Sequence, residues 1–390
     1  MRGNITRRGK ESWRLRFDVG IDPATGRRKV QSVTVRGTKR RAQARLTELL
    51  ASIDRGTFVE PSKVTVAVHV RARLAQWESA GDIGAKTAER YRELIENQIV
   101  PHLGAKLIQQ LKPAHIEAWH ATLRANGRKG GGGLSARTIG HAHRVLSKAL
   151  RDGVKFDLAM RNAAGREGQA APKVMAEEIA IIPADKIGET LAKLRGRAIY
   201  SKVIVALFTG MRRGELLALR WSCVDFDAKE IRIRESLEET KAHGVRFKAT
   251  KTKSGRRDVT LPNIVVDTLR DHRRHQLEQR MAMGLGRPPD DGLVFPALDQ
   301  GPQAPRQLSG DWRQVAAAIG LGDVTFHALR HTHASQLIDA NVDVVRISKR
   351  LGHASPNITL QVYAHLFRKR DDVSADAINA ALAELGSKGQ

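Results

Sequence analysis

The sequence predicts a multidomain chain, mainly α-helical with small β elements, on three observations. Its 390 residues exceed what one core usually organises, since domains commonly run ~150 residues. Alternation of apolar and polar residues is confined to the first 60 residues and to a stretch near 230–261. Between and beyond these, apolar side chains recur at helical spacing.

The elements follow in order. Trp13, Leu15, Phe17 and Val19 alternate with Arg14, Arg16 and Asp18, and Val33 and Val35 repeat the period after the turn-rich residues 22–26, so 1–60 should begin as a small three-stranded sheet. A helix over 38–55 should follow, with Ala42, Leu46, Leu49, Leu50 and Ile53 on one side. Lys39, Arg40, Arg41 and Arg45 crowd its start, where they oppose the helix dipole; a nearby phosphate explains them as readily as a solvated face does. Residues 64–160 carry only helical periodicity, with helices expected over 65–79, 86–99, 112–126 and 135–152 and breaks at 81–84, 101–104 and 129–133. The glycine run 130–133 is a flexible loop and not a phosphate cradle, because no Lys-Ser or Lys-Thr pair follows. An Ala-, Gly- and Gln-rich stretch, 161–173, marks the hinge into a last domain over 175–385.

That last region should be mixed α and β. Helices are expected over 199–208 and 213–219, strands over 230–234 and 245–261, then helices over 264–283, 312–319, 325–340, 342–349, 355–366 and 374–385. Ser254-Gly255 is a hairpin turn on this reading, which places Lys251 and Lys253 at its tip.

The formal charge is +26, from 67 Lys and Arg against 41 Asp and Glu, and the excess spans the chain. A polyanion long enough to touch several domains is the economical partner, and DNA suits better than a small acidic substrate. A membrane role is not expected, because apolar runs such as 203–208 fall far short of the ~20 residues of a span. Residues 1–10 have no apolar core, so no signal peptide is expected either. Cys223 is the single cysteine, which excludes an internal disulfide and a multi-cysteine zinc cluster, and suits a reducing cytoplasm. It follows an apolar helix without an obvious base and is assigned to packing.

Chemistry concentrates in Arg212, Lys253, His327, Arg330, His353 and Tyr363. The cationic and imidazole groups can neutralise and protonate a phosphate in its transition state, while a tyrosine can attack it and hold it covalently. His327, Arg330, His331 and Ala334 share one face of a helix, a face not expected to be core. Zinc is disfavoured there: His327 and His331 enclose Ala328, Leu329 and Arg330, so the metalloprotease Glu is missing and a guanidinium sits beside the pair. Ser355-Pro356 opens the helix that carries Tyr363, as N-cap and first helical residue.

Four segments then carry a family resemblance: Thr209-Gly210-Met211-Arg212-Arg213-Gly214-Glu215-Leu216, His327-Ala328-Leu329-Arg330-His331, Leu351-Gly352-His353 and Val362-Tyr363-Ala364-His365. In order and spacing they resemble the boxes of the tyrosine recombinases, or phage integrases. The resemblance implies a catalytic domain over 175–385, a helical (SAM-like) core-binding domain over 64–160 and an arm-type DNA-binding domain over 1–60, with Arg14, Arg16, Lys39, Arg40 and Arg41 as its DNA contacts. It implies that Arg212 and Arg330 hold the scissile phosphate, that Glu215 orients that region, and that Tyr363 forms a 3′-phosphotyrosyl link. Lys253, preferred to Lys251 because it directly precedes Ser254-Gly255, protonates the leaving 5′-oxygen. His327 and His353 bond the phosphate, His327 being also the candidate acceptor of the tyrosine proton, and His331 stands behind them. Neither metal nor cofactor is implied.

The expected function is therefore site-specific recombination by an integrase of a phage or mobile element in the bacterial cytoplasm, associated with the nucleoid. Its partners would be double-stranded DNA attachment sites, three further copies of the chain in a tetramer, and an excisionase and a host DNA-bending protein as helpers. The helix over 374–385 would dock on a neighbouring copy or on its own domain. A type IB topoisomerase shares the chemistry but not the arm-like first domain. A regulator without catalysis is the other rival, and every catalytic position is filled against it.

Overall fold

The structure, a computed structural model, describes residues 3–21, 26–56, 58–175, 179–249, 253–367 and 379; for Lys253 and for 365–367 it describes the backbone only. The expected turn at 22–25, Lys251 and all of the 374–385 helix except Asn379 lie outside the described residues. The chain divides into two units, Met1–Met175 and Ala176–Gln390.

The first unit holds two separate hydrophobic cores. Strands β1 (Gly3–Gly9), β2 (Ser12–Ile21) and β3 (Arg28–Arg36) form an antiparallel sheet in that order, registered by Ile5 opposite Leu15 and Leu15 opposite Val33. One face buries Leu15 and Phe17 against Ala42, Leu46 and Leu49 of helix α1 (Lys39–Asp54), whose N-cap hydroxyl, Thr38, accepts from the Arg41 N–H at 3.3 Å. Arg14 and Arg16 take the opposite face by alternation, and Arg16, Lys39, Arg40 and Arg41 are exposed.

The second core gathers α2 (Val66–Ser79), α3 (Ala85–Leu94), α4 (Val100–Leu103), α5 (Pro113–Asn126) and α6 (Ala136–Lys155) around Trp77, Ile95, Ile99, Trp119 and Leu146. The break expected over 101–104 comes only at its end, where Gly104 caps α4; Pro101–Leu103 are still helical. α3 continues through a π-helical turn, Ile95–Ile99, directly into α4, with Pro101 in its first turn. A proline has no N–H to give, and a position where the bonding pattern is already resetting is where it costs least. The stretch read as a hinge is partly docked: Asn162 donates to the Ser147 carbonyl at 3.0 Å, and Ala163 and Ala164 are buried in the helical core.

The second unit opens with α7 (Ile187–Leu194), α8 (Tyr200–Thr209) and the short α9 (Arg213–Leu217). Strands β4 (Val224–Asp225), β5 (Glu230–Ile233), β6 (Glu235–Thr240), β7 (Gly244–Ala249) and β8 (Arg257–Thr260) follow. Here the sequence reading needs correction. β6 was not foreseen, and the chain reverses at 241–243, since β6 pairs with β7 while β5 pairs with β8. The register places Glu235 opposite Ala249 and Ile233 opposite Arg257, so β7 and β8 pair with different strands, and Lys253–Gly255 form a short 3-10 turn and not the turn of a hairpin between them. The alternation of Glu230–Thr240 is lost at Glu235, a polar residue where an apolar one was due, which hid the continuation of the strand.

Helices α10 (Asn263–Ala282), α11 (Pro305–Ala318), α12 (Ala328–Asp339), α13 (Val344–Leu351) and α14 (Pro356–Phe367) complete the unit. Val203, Leu207, Leu216, Ile231, Val265, Phe295, Trp312 and Leu329 belong to its main core, and Ala334, Ile338, Ile347, Leu351 and Tyr363 form a smaller one among α12, α13 and α14. No helix among the described residues is long and apolar enough to cross a membrane.

Candidate active site

Two glycines build the frame of the site. Gly210 ends α8 and Gly352 ends α13, both left-handed, at φ +67° and +66°. A Cβ at Gly210 would meet the His333 ring at 2.7 Å, and one at Gly352 would meet Arg257 Nη1 at 2.8 Å and the Ser254 carbonyl at 2.9 Å. Only glycine serves at both places, for conformation and for space.

Their carbonyls point at arginines. Arg330 donates from Nη1 to Gly210 O and from Nη2 to Leu351 O, each at 2.7 Å, and Arg212 Nη2 donates to Gly352 O at 3.1 Å. The α12 face that carries Arg330 is mixed: His327 is exposed and His331 half-buried, but Arg330 and Ala334 are buried, contrary to expectation, and Arg330 is only 4% exposed because carbonyls at two helix ends satisfy part of its fork. Of five N–H donors those bonds use two, which leaves capacity for an anion. Burial and the Arg212 cation pull the Arg330 guanidinium down to about 9, still cationic at neutral pH.

Glu215 is the shared carboxylate. It accepts from the Arg212 backbone N–H and from Arg212 Nη1, both at 2.9 Å, and from Arg257 Nη2 and Nη1 at 2.8 and 3.2 Å. Burial pushes its carboxyl up, but the bonds and charge of Arg257, then of Arg212, outweigh this and hold it below the ordinary value. Arg257 also donates from Nε to Arg350 O at 2.7 Å, tying the start of β8 to the end of α13. Three guanidiniums around one carboxylate leave an excess of positive charge, as a phosphate requires.

The surroundings of the imidazoles disfavour their charged form. Trp312 fixes the approach to α12, donating to Val324 O at 2.7 Å and packing edge-on against Phe326, and His327 follows at the helix N-cap. Burial, then Arg330 and Arg212, lower His327. Burial brings His331 down to about 4 with help from His327 and Arg330, and His353 to about 4 with help from Arg330, Arg212 and Arg257. His353 Nδ1 lies 2.8 Å from the buried Thr359 hydroxyl.

Tyr363 is 4% exposed, and burial pushes its phenol up to about 12 against the pull of Arg330. Its hydroxyl lies 2.7 Å from Nδ1 of His331. This corrects two expectations: His331 does not stand behind the others, and the ring against the phenol is not that of His327, which meets His331 edge-on at 5.0 Å. A cleft of about 830 Å³ lies beside the site, with Arg212, Arg213, Arg306, Arg313 and His327 in its wall. No group of three or more His, Cys, Asp or Glu that could hold a metal ion occurs among the described residues.

Arg212, Glu215, His327, Arg330, His331, His353 and Tyr363 therefore converge, while the Lys253 side chain is outside the described part. Arg257 and Arg350 were missed. Arg350 donates to His333 Nε2 at 3.0 Å and to the carbonyls of Phe208 and Thr260. The one signal for Arg257 was its place beyond the Ser254-Gly255 pair, and nothing set it apart from its neighbour Arg256.

Residues 180–370 match the phage integrase family, and residues 75–124 match the N-terminal SAM-like domain of phage integrases. This chain belongs to that family. It is a tyrosine recombinase, and its class of reaction is site-specific recombination. A tyrosine recombinase XerC-like protein of Caldanaerobacter subterraneus subsp. tengcongensis is 24% identical over 96% of this chain and 98% of its own length. The fold is similar to that of the Tn1549 transposon integrase in complex with a circular intermediate DNA, with TM-score 0.67 and 20% identity over 82% of this chain and 100% of that one. It is similar also to a lambda integrase tetramer bound to a Holliday junction, with TM-score 0.51 and 18% identity over 90% of this chain and 96% of that one.

Proposed function

We propose that this recombinase is the integrase of a phage or mobile element, which cuts and rejoins double-stranded DNA at attachment sites through a 3′-phosphotyrosyl intermediate. The observation that carries the reading is the buried Tyr363 phenol, held by an imidazole beside Arg330, while carbonyls keep Arg330 and Arg212 in place without cancelling their charge.

Arg212 and Arg330 bind the non-bridging oxygens of the scissile phosphate, and His327 and His353 add hydrogen bonds to it. Glu215 sets the position of Arg212. The Tyr363 oxygen forms a bond to phosphorus as the bond to the 5′-oxygen breaks, and Lys253 supplies that oxygen with a proton. In the second half a 5′-hydroxyl from the other duplex attacks the phosphotyrosine, and the tyrosine leaves. One ester replaces another throughout, so resealing needs no nucleotide hydrolysis.

In this reading, residues 175–385 are the catalytic domain, 64–160 bind the core site and 1–60 bind arm-type sites through Arg14, Arg16, Lys39, Arg40 and Arg41. Four copies act together, as in the lambda integrase assembly, with an excisionase and a host DNA-bending protein setting direction. The chain works in the bacterial cytoplasm at the nucleoid.

A nicked suicide duplex carrying the attachment sequence tests the proposal. Wild type is expected to accumulate a covalent adduct that peptide mapping places on Tyr363. Tyr363→Phe is expected to bind the duplex with unchanged affinity and to form no adduct. A linkage at another residue, or an adduct with the Phe variant, sinks it.

A further inference from the structure

Building on that reading, the geometry points to His331 as the group that seats the Tyr363 phenol and takes its proton when the tyrosine attacks. The contact is Nδ1 to Oη at 2.7 Å, a normal O–H···N distance. His331 directly follows Arg330 on α12, so one stretch of helix sets both the ring that orders the nucleophile and the guanidinium beside it. His353 has Nδ1 on Thr359, and His327 presents its ring edge-on to His331.

The phenol, pushed up to about 12 by burial, has almost no phenolate at neutral pH, so attack requires a proton acceptor. His331 meets His327 and Arg330 of its own helix, Tyr363 of α14 and His353 beyond α13. Burial and the first two hold it at about 4, hence neutral and able to accept across the working range. In the step, the phenolic proton passes to Nδ1 of the Nε2–H tautomer, the O–P bond forms and the P–O5′ bond breaks. The 5′-oxygen receives a different proton. When a 5′-hydroxyl later attacks the phosphotyrosine, His331 returns the proton to the departing phenolate.

The alternative is a purely structural ring that keeps Tyr363 in place. Single-turnover adduct formation on the suicide duplex separates the two, using wild type, His331→Gln and His331→Ala with Lys253→Ala for comparison. Gln fills similar space and can bond the phenol but takes no proton. His331→Gln is expected to lose about 10²- to 10⁴-fold in rate at neutral pH while binding DNA and melting as wild type does. Its deficit should shrink as pH rises from about 6 to 9, close to tenfold per unit, as solvent hydroxide replaces the missing base. Imidazole in solution should restore part of the His331→Ala rate. A duplex with a 5′-bridging sulfur, whose thiolate leaves without a proton, should restore Lys253→Ala and leave His331→Gln slow.

Rates for His331→Gln within about threefold of wild type, or a deficit constant with pH, overturn the assignment. Full rescue by the sulfur substrate also overturns it, by moving His331 to the leaving-group side. Each of these results leaves a Tyr363 adduct in wild type intact, whereas failure of the broader reading removes that adduct.

Discussion

In the helical part of the first unit, arginines meet carboxylates: Arg71 with Glu96 at 2.6 Å, Arg92 with Glu78 at 2.6 Å, Arg73 with Asp152 at 2.9 Å. In the second unit, Arg330 and Arg350 meet backbone carbonyls, and Arg212 shares its single carboxylate with Arg257. Both arrangements satisfy N–H donors. A carboxylate also cancels charge, and a carbonyl does not. A carbonyl is a dipole, so it holds a guanidinium in place and leaves its positive charge to attract something else. On the proposed function, the difference separates arginines that stabilise a fold from arginines kept ready for an anion.

The comparison can be broken most severely at Arg330. Arg330→Lys keeps the charge but cannot span Gly210 O and Leu351 O and still face a phosphate, so adduct formation should fall about 10²- to 10³-fold. Quench-flow on the suicide duplex measures it, and a near-normal rate would mean that charge alone suffices. Next comes Glu215→Gln, which removes the carboxylate from between two guanidiniums in a site where the Arg257 and Glu215 side chains are 7% and 3% exposed. Denaturant unfolding should show a loss of about 3–5 kcal/mol, and activity should fall with it. The smallest effect belongs to Glu96→Gln, on an exposed pair, where no resolvable change in melting is expected.

A pH test sharpens the contrast from the histidine side. In the first unit His143 Nδ1 lies 3.2 Å from His120 Nε2, and burial, then His120, brings His143 down to about 4. Unfolded, it titrates near ~6.5 and so binds more protons than the folded form below that value. Stability present above ~6.5 is therefore lost as pH falls toward about 4. Thermal melts of the full chain at pH 7 and at about pH 5 should show a smaller acid loss for His143→Asn than for wild type, because Asn carries no titrating group. Equal losses would show that this pair does not contribute.

Much of this was legible in the sequence. Helices were found because they bury one face each, and Arg212, Arg330, His353 and Tyr363 because their residue types follow one another in a recognisable order. What stayed hidden has physical causes. Arg257 and Arg350 are two among 67 Lys and Arg, and a cation that braces a loop reads like one that faces solvent. The contact of His331 with Tyr363 joins residues 32 apart, which helical spacing cannot report. β6 was obscured because Glu235 interrupts the alternation, and the continuation past Pro101 because proline normally ends a helix and here meets a π turn.

The two glycine helix ends carry a consequence for engineering. The oxygens of Gly210 and Gly352 belong to the main chain, so no exchange of a nearby side chain deletes them. On the proposed function, surface residues away from this frame can be varied to retarget the protein to a new genomic address while the frame stays in alignment. Libraries for that purpose should leave those two glycines untouched, together with the side chains that converge on them, and vary the surface elsewhere.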